Sequence, residues 1–220
     1  MTGRRAVLFD IDGTLVDSNY LRVDAWHRAV QTMGVDVEAR RIHRSIGQDS
    51  GQMLDSLVGD RDAHWVTEAK RLHAHNYSSL APRLRAFPHI HELLSVLAEQ
   101  GHIVVLATSA PEDELRMLLE VLDSADAIHA TTNSDDVDVA KPDHDIVRVA
   151  LERAGVEPTE AIFIGDSVWD MMAASRAGVQ PFGMPLGGIA AEMLVEAGAG
   201  AVFENPADLL ARLADLGLSD

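Results

Sequence analysis

The chain has 220 residues, of which 47% are hydrophobic and none is cysteine. That suits one sizeable core, or one core carrying a large insert, and excludes disulfide and thiol chemistry. Acidic residues outnumber basic ones 35 to 18, a net charge of −17, which excludes nucleic acid and anionic membranes as natural partners because both require a basic footprint.

No apolar run approaches the ~20 residues of a membrane span. The basic start at 1–5 leads into an apolar run that breaks at Asp10, too short and acidic for a secretory signal, so a cytoplasmic location is expected. That run, 6–9, reads as a buried strand and ends in Asp10-Ile11-Asp12-Gly13-Thr14. Asp17 and Ser18 are suitable caps for a following helix. From 19 to about 82 the pattern is helical. Trp26, Val30 and Met33 recur at helical spacing, Gly34 is a stop, and further helices are expected near 36–45, 50–58 and 62–80, separated by Gly47 and Gly59. After Pro82 the pattern alternates. A helix with Leu93, Leu94 and Leu97 precedes a strand at 103–107, and Pro111 opens a helix to about 122. A weaker strand is expected at 127–131. Lys141-Pro142 opens a helix that runs to Gly155, since proline suits the first turn. A strand at 161–164, a helix to Gly178, a short segment at 180–184 and two tail helices around the apolar patch at 201–203 complete the chain. Alternation of this kind predicts an α/β fold, a doubly wound parallel sheet with helices on both faces. Residues 1–16 and 85–220 would form the core, and 17–84 an inserted helical module.

Four positions carry candidate chemistry. Asp10 and Asp12 lie just past a strand, where open α/β sheets bind ligands, and two carboxylates there repel unless a cation or proton intervenes. Asp12-Gly13 taken alone also suits a hairpin turn. Thr108-Ser109 follows a strong strand and precedes Pro111, which reads as a helix cap or as an anion contact at a helix start. Lys141 taken singly is a solvated surface lysine, but its junction downstream of a strand puts it on the same rim. In Gly165-Asp166-Ser167-Val168-Trp169-Asp170, Asp166 can be a plain N-cap. Asp166 and Asp170, four apart, also share a face and suit a hard cation such as Mg²⁺. The pairs His73/His75 and His89/His91 are spaced i, i+2, which does not share a helix face, so all four are expected at the surface. Trp26, Trp65 and Trp169 are expected to pack.

In this order the four sites resemble the haloacid dehalogenase superfamily over the whole chain, with 17–84 similar to the helical cap of its first subfamily, as in phosphoglycolate-phosphatase-like and β-phosphoglucomutase-like members. The resemblance implies that Asp10 is a nucleophile forming an aspartyl-phosphate, and that Asp12 protonates the leaving oxygen and then deprotonates water. Thr108 (the better match) or Ser109 would bind the phosphoryl group, and Lys141 would bridge nucleophile and phosphoryl oxygens. Asp166, Asp10 and the Asp12 backbone carbonyl would bind Mg²⁺, with Asp170 supporting the metal. An acid at position 12 favours phosphate over halide chemistry. Two positions depart from the pattern: Pro88-His89 stands where related phosphatases often have Pro-Gly, and Ser50 stands where members resembling β-phosphoglucomutase carry a basic residue. The expected function is hydrolysis of a small phosphorylated metabolite, with a phosphomutase as the alternative and a non-catalytic binder as a third reading. His27, Arg44 and Gln48 are the cap candidates for specificity. The lack of a long apolar seam favours a monomer, with a cap-mediated dimer as the alternative.

Overall fold

The computed structural model describes residues 5–133, 136 and 145–218. Its centre is a five-stranded parallel sheet in the order β3-β2-β1-β4-β5. The strands are β1 (Ala6–Phe9), β2 (Ile103–Leu106), β3 (Ala130–Thr131), β4 (Ala161–Gly165) and β5 (Gln180–Gly183). Successive side chains point to opposite faces of a strand, and both faces are covered. Val7, Phe9, Val104, Leu106, Ile162 and Ile164 join the cluster on one face, with α5 (Ile90–Glu99) and α6 (Glu112–Leu122). Ala6, Leu8, Val105 and Phe163 join the other, with α7 (Asp145–Ala154) and α8 (Val168–Arg176). Two-sided burial explains why β1, β2 and β4 are apolar without alternation. The third strand is shorter than the sequence predicts, because 125–127 wind into a 3₁₀ turn closed by Ala127 N–H donating to the Ser124 carbonyl at 3.0 Å. The tail carries α9 (Ala191–Glu196) and α10 (Pro206–Ala211) around Val202, which bridges to Gly183.

Between β1 and α5 lie α1 (Asn19–Thr32), α2 (Ala39–Ser45), α3 (Ser50–Val58) and α4 (Ala63–Leu80). They share an apolar cluster of their own, including Trp26, Val30, Ile42, Leu54 and Ala69. The chain enters and leaves this helical segment side by side. Phe87 N–H donates to the Leu15 carbonyl at 3.0 Å, and Asp17 N–H donates to the Arg85 carbonyl at 2.9 Å.

Candidate active site

Register places the site. Phe9, Leu106 and Ile164 stand level in three adjacent strands. The residues just beyond them, Asp10, Thr108 and Asp166, therefore emerge together at the carboxyl ends of the parallel strands, and all three are buried. A tight turn follows Asp10, with Leu15 and Val16 amides donating to the Ile11 carbonyl at 2.9 and 3.0 Å. The turn needs Gly13 at φ +77°, and a Cβ there would crowd Asp166 and Asn19. Gly187 also approaches this point, where any Cβ would overlap the Asp166 carboxylate. Asp166 thus sits in a cradle of two glycines, accepting from Asn19 Nδ2 at 2.8 Å and Thr14 Oγ1 at 3.3 Å. Ser167 and Asp170 form a reciprocal cap at the start of α8. Ser167 Oγ donates to Asp170 Oδ2 at 2.6 Å, and the Asp170 amide donates to Ser167 Oγ at 3.2 Å.

Asp10, Asp166 and Asp170 each offer a carboxylate oxygen to one point, all within 4.8 Å of one another. Three carboxylates brought together out of water repel one another, and a divalent cation relieves that repulsion. An all-oxygen donor set fits a hard ion. The Asp12 carboxylate stands apart from this trio. It accepts from Ser18 Oγ at 2.5 Å and is gripped by Arg22 through Nε at 2.8 Å and Nη2 at 2.9 Å. Arg22 Nη1 also lies 2.7 Å from Glu114 Oε2, and Glu114 Oε1 lies 3.5 Å from His73 Nδ1. His73 stacks on Trp26, centroids 4.1 Å apart, and Arg22 sits over the Tyr77 ring. Burial acts to lower the Arg22 guanidinium, but the attraction of Asp12 and Glu114 overrides it and holds it well above its ordinary value. Burial raises Glu114, offset in part by Arg22. Burial and then the Arg22 charge push His73 well below its ordinary value, so the ring is neutral.

A cavity of about 470 Å³ opens over these groups. Asp10, Asp12, Thr108, Ser109 and Asp166 line its floor, and Gln48 lines its roof. The Thr108 hydroxyl also accepts from the Ala110 amide at 3.1 Å, so it caps the turn as well as facing the cavity. The sequence reading needs correction at three residues. His27 and Arg44 are not among the residues lining the cavity. Trp26 takes the inner face of α1, which turns His27 aside, and Arg44 is exposed at the end of α2 with its carbonyl accepting from Trp169 Nε1 at 3.2 Å. His73 is buried, not at the surface. It shares a stripe of α4 with Ala69 and Tyr77, a spacing that outweighs the i, i+2 argument. Lys141 lies outside the described residues. Sequence reasoning missed Asn19, Gly187, Arg22 and Glu114. A signal existed for the last two: Arg22 is four residues before the buried Trp26, and Glu114 four before the buried Leu118, each inside an apolar stripe.

Residues 7–184 match the haloacid dehalogenase-like hydrolase family. A phosphoglycolate phosphatase of Rhodospirillum rubrum is 31% identical over 215 residues, covering 93% of this chain and 89% of the relative. The pyrophosphatase PpaX of Bacillus velezensis is 27% identical over 187 residues, covering 84% and 85%. A hydrolase from Pseudomonas syringae has the same fold at TM-score 0.93 with 34% identity, covering 97% of this chain and 99% of that one. With its parallel sheet and its buried acidic trio at the strand ends, the chain belongs to the haloacid dehalogenase-like hydrolases, as an enzyme resembling their phosphatases.

Proposed function

We propose that this chain is a Mg²⁺-dependent phosphatase acting on a small phosphorylated metabolite through a phosphorylated Asp10. The observation that carries the reading is the convergence of Asp10, Asp166 and Asp170 within 4.8 Å beside a cavity of about 470 Å³. Asp10, Asp166 and Asp170, with the Asp12 carbonyl, would hold the ion, which when bound neutralises charge around the phosphoryl group. Phosphoryl transfer needs positioning and charge neutralisation above all. An Asp10 oxygen attacks phosphorus as the bond to the leaving oxygen breaks, and Asp12 gives that oxygen a proton. A water then attacks the phosphoryl group while passing its proton to Asp12, which frees phosphate and restores Asp10. Splitting one displacement into two is the gain of covalent catalysis. Thr108 and Ser109 contact the phosphoryl oxygens, and the family resemblance gives Lys141, outside the described residues, the role of a bridge between them and Asp10.

Residues 17–84 serve as a cap over a core of 1–16 and 85–220, with the paired crossings at 15–17 and 85–87 as the hinge. Closure shuts water out of the reaction. The enzyme works in the cytoplasm as a monomer. Relatives named for phosphoglycolate and for pyrophosphate make 2-phosphoglycolate the first substrate to test.

The test is phosphate release from 2-phosphoglycolate and from an aryl phosphate, with Mg²⁺ and with chelator. Expected are Mg²⁺-dependent turnover and a loss of at least about a thousandfold in Asp10→Asn. Substantial residual turnover in that variant removes Asp10 as nucleophile. Little phosphate release, together with a requirement for a bisphosphate primer, marks a phosphomutase instead.

A further inference from the structure

The cavity is strongly acidic. Asp10, Asp12, Asp49, Asp113, Glu114 and Asp166 all line it, inside a chain of net charge −17. Such a field opposes any anionic substrate, and a second negative group on that substrate doubles the difficulty. Among the described residues, two full cations line the cavity, Arg22 and Lys70. Arg22 is already committed to Asp12 and Glu114. Lys70 makes no ion pair among the described residues. It lies on α4 one turn before His73 and Ala74, which line the same cavity, and its side chain crosses to the start of α3. There Nζ lies 3.9 Å from where a Cβ on Gly51 would stand. The acids nearby have other partners but keep their charge. Asp49 Oδ1 accepts from the Gly51 and Gln52 amides, both at 2.9 Å, and Asp113 pairs with Arg116 at 3.3 Å.

We propose that Lys70 is the specificity residue that receives a second anionic group of the substrate, a carboxylate or a second phosphoryl, on the leaving-group side. The proposal rests on the phosphatase reading above and adds the chemical class: small phosphate esters or anhydrides with two separate anionic groups. A lysine is a compact charge with three donors on a flexible stem, so it can follow either anion. Ser50 and Gln48 line the cavity beside it as neutral donors.

The test compares kcat/KM for 2-phosphoglycolate, for pyrophosphate and for ethyl phosphate, which has the same phosphate and no second anion. Wild-type enzyme prefers at least one doubly anionic substrate over ethyl phosphate. In Lys70→Met that preference ratio falls by about ten- to a hundredfold, mostly through KM, as expected for the loss of a charged hydrogen bond. Lys70→Arg restores most of it. Loss of the ratio for 2-phosphoglycolate alone assigns a carboxylate, and loss for pyrophosphate alone assigns a phosphoryl group. A ratio equal in wild type and Lys70→Met overturns the inference, as does a wild-type ratio near one, while steady turnover of ethyl phosphate leaves the phosphatase reading standing. No turnover of any of the three, with Mg²⁺ present, overturns that reading and this inference together.

Discussion

Two carboxylate clusters, whose members Asp10 and Asp12 stand two residues apart in the sequence, are balanced in opposite ways. Asp12 and Glu114 share the guanidinium of Arg22, a cation the chain itself supplies. Asp10, Asp166 and Asp170 gather within 4.8 Å, and the groups that orient Asp166 and Asp170 include neutral donors: Asn19, Thr14 and Ser167. The first arrangement is closed in its charge balance, although Asp12, Arg22 and Glu114 line the cavity and Asp12 is the side chain proposed to move protons. The second suits an ion from outside. The same residue type performs two tasks because its partners differ, which is how carboxylates in one site come to hold different protonation roles.

The sharpest way to break this contrast is at Arg22. Arg22→Met leaves the buried Glu114 and the part-buried Asp12 without their cation, and removing one partner of a buried pair costs about 3–5 kcal/mol. For a chain of this size that is a drop of roughly 6–20 °C in Tm. Pairing it with Glu114→Gln recovers a good part of the loss, because one of the stranded charges is gone, and the double-mutant cycle measures the coupling. Denaturant unfolding of the four proteins decides it. A cost below about 1 kcal/mol for Arg22→Met would mean that water reaches these charges and the cluster is not closed.

The open cluster responds the other way. Mg²⁺ at about a hundred times its dissociation constant stabilises wild type by about 2.7 kcal/mol. Asp166→Asn abolishes that response and raises Tm in chelator, since one like charge leaves the trio. Thermal unfolding with and without Mg²⁺ reads both effects. A wild type indifferent to Mg²⁺, with Asp166→Asn no more stable in chelator, would show that the trio is not an ion site.

The two clusters were not equally legible in the sequence. The acidic trio was readable because Asp10 and Asp166 follow short apolar runs, strand ends meet wherever the sheet is parallel, and Asp170 lies one helical turn beyond Asp166. The sheet itself followed from the apolar runs at 6–9, 103–106 and 161–164, which are buried on both faces. The closed cluster was not readable, because it joins α1, α4 and α6, and no local pattern states which helices meet. Arg22 and Glu114 did break apolar stripes, and His73 sat on one, but a charged residue in a stripe shows only that a partner exists and does not name it. Gly187 was invisible for the same reason: its lack of a side chain matters only because Asp166 lies against it.

His73 offers a finer test of how closed the first cluster is. Burial, then the Arg22 charge, lowers its pKa from an ordinary 6.5. As pH falls below 6.5 the unfolded chain takes up a proton that the folded chain resists, so stability is lost toward acid. Glu114 acts oppositely. Burial raises it from 4.5, so the folded chain takes its proton first, and that contribution to stability fades as pH rises. His73→Phe keeps a ring to stack on Trp26 and removes only the histidine's share. The drop in Tm between about pH 7.5 and about pH 5.5 is therefore expected to be smaller in His73→Phe than in wild type, by a few degrees at most. Equal drops would mean that His73 titrates as if exposed.

The charge effects above need a neutral yardstick in the same region, and His89 supplies one. It opens α5 just after the chain returns past Leu15, in the left-handed region at φ 66° and ψ 4°. A Cβ in that region costs about 1–2 kcal/mol. His89→Gly relieves that strain but gives back about 0.5–1 kcal/mol in unfolded-chain entropy, so the net gain is at most about 1.5 kcal/mol, or about 3–6 °C. The exposed contact of His89 Nδ1 with Glu92 at 3.0 Å is lost in any substitution, so His89→Ala is the control: it keeps the Cβ and gains nothing. Equal Tm shifts in the alanine and glycine variants would move the cause from backbone strain to the imidazole. A rise confined to glycine fixes the size of a pure backbone effect, against which the Arg22 and Asp166 shifts are then measured as electrostatic.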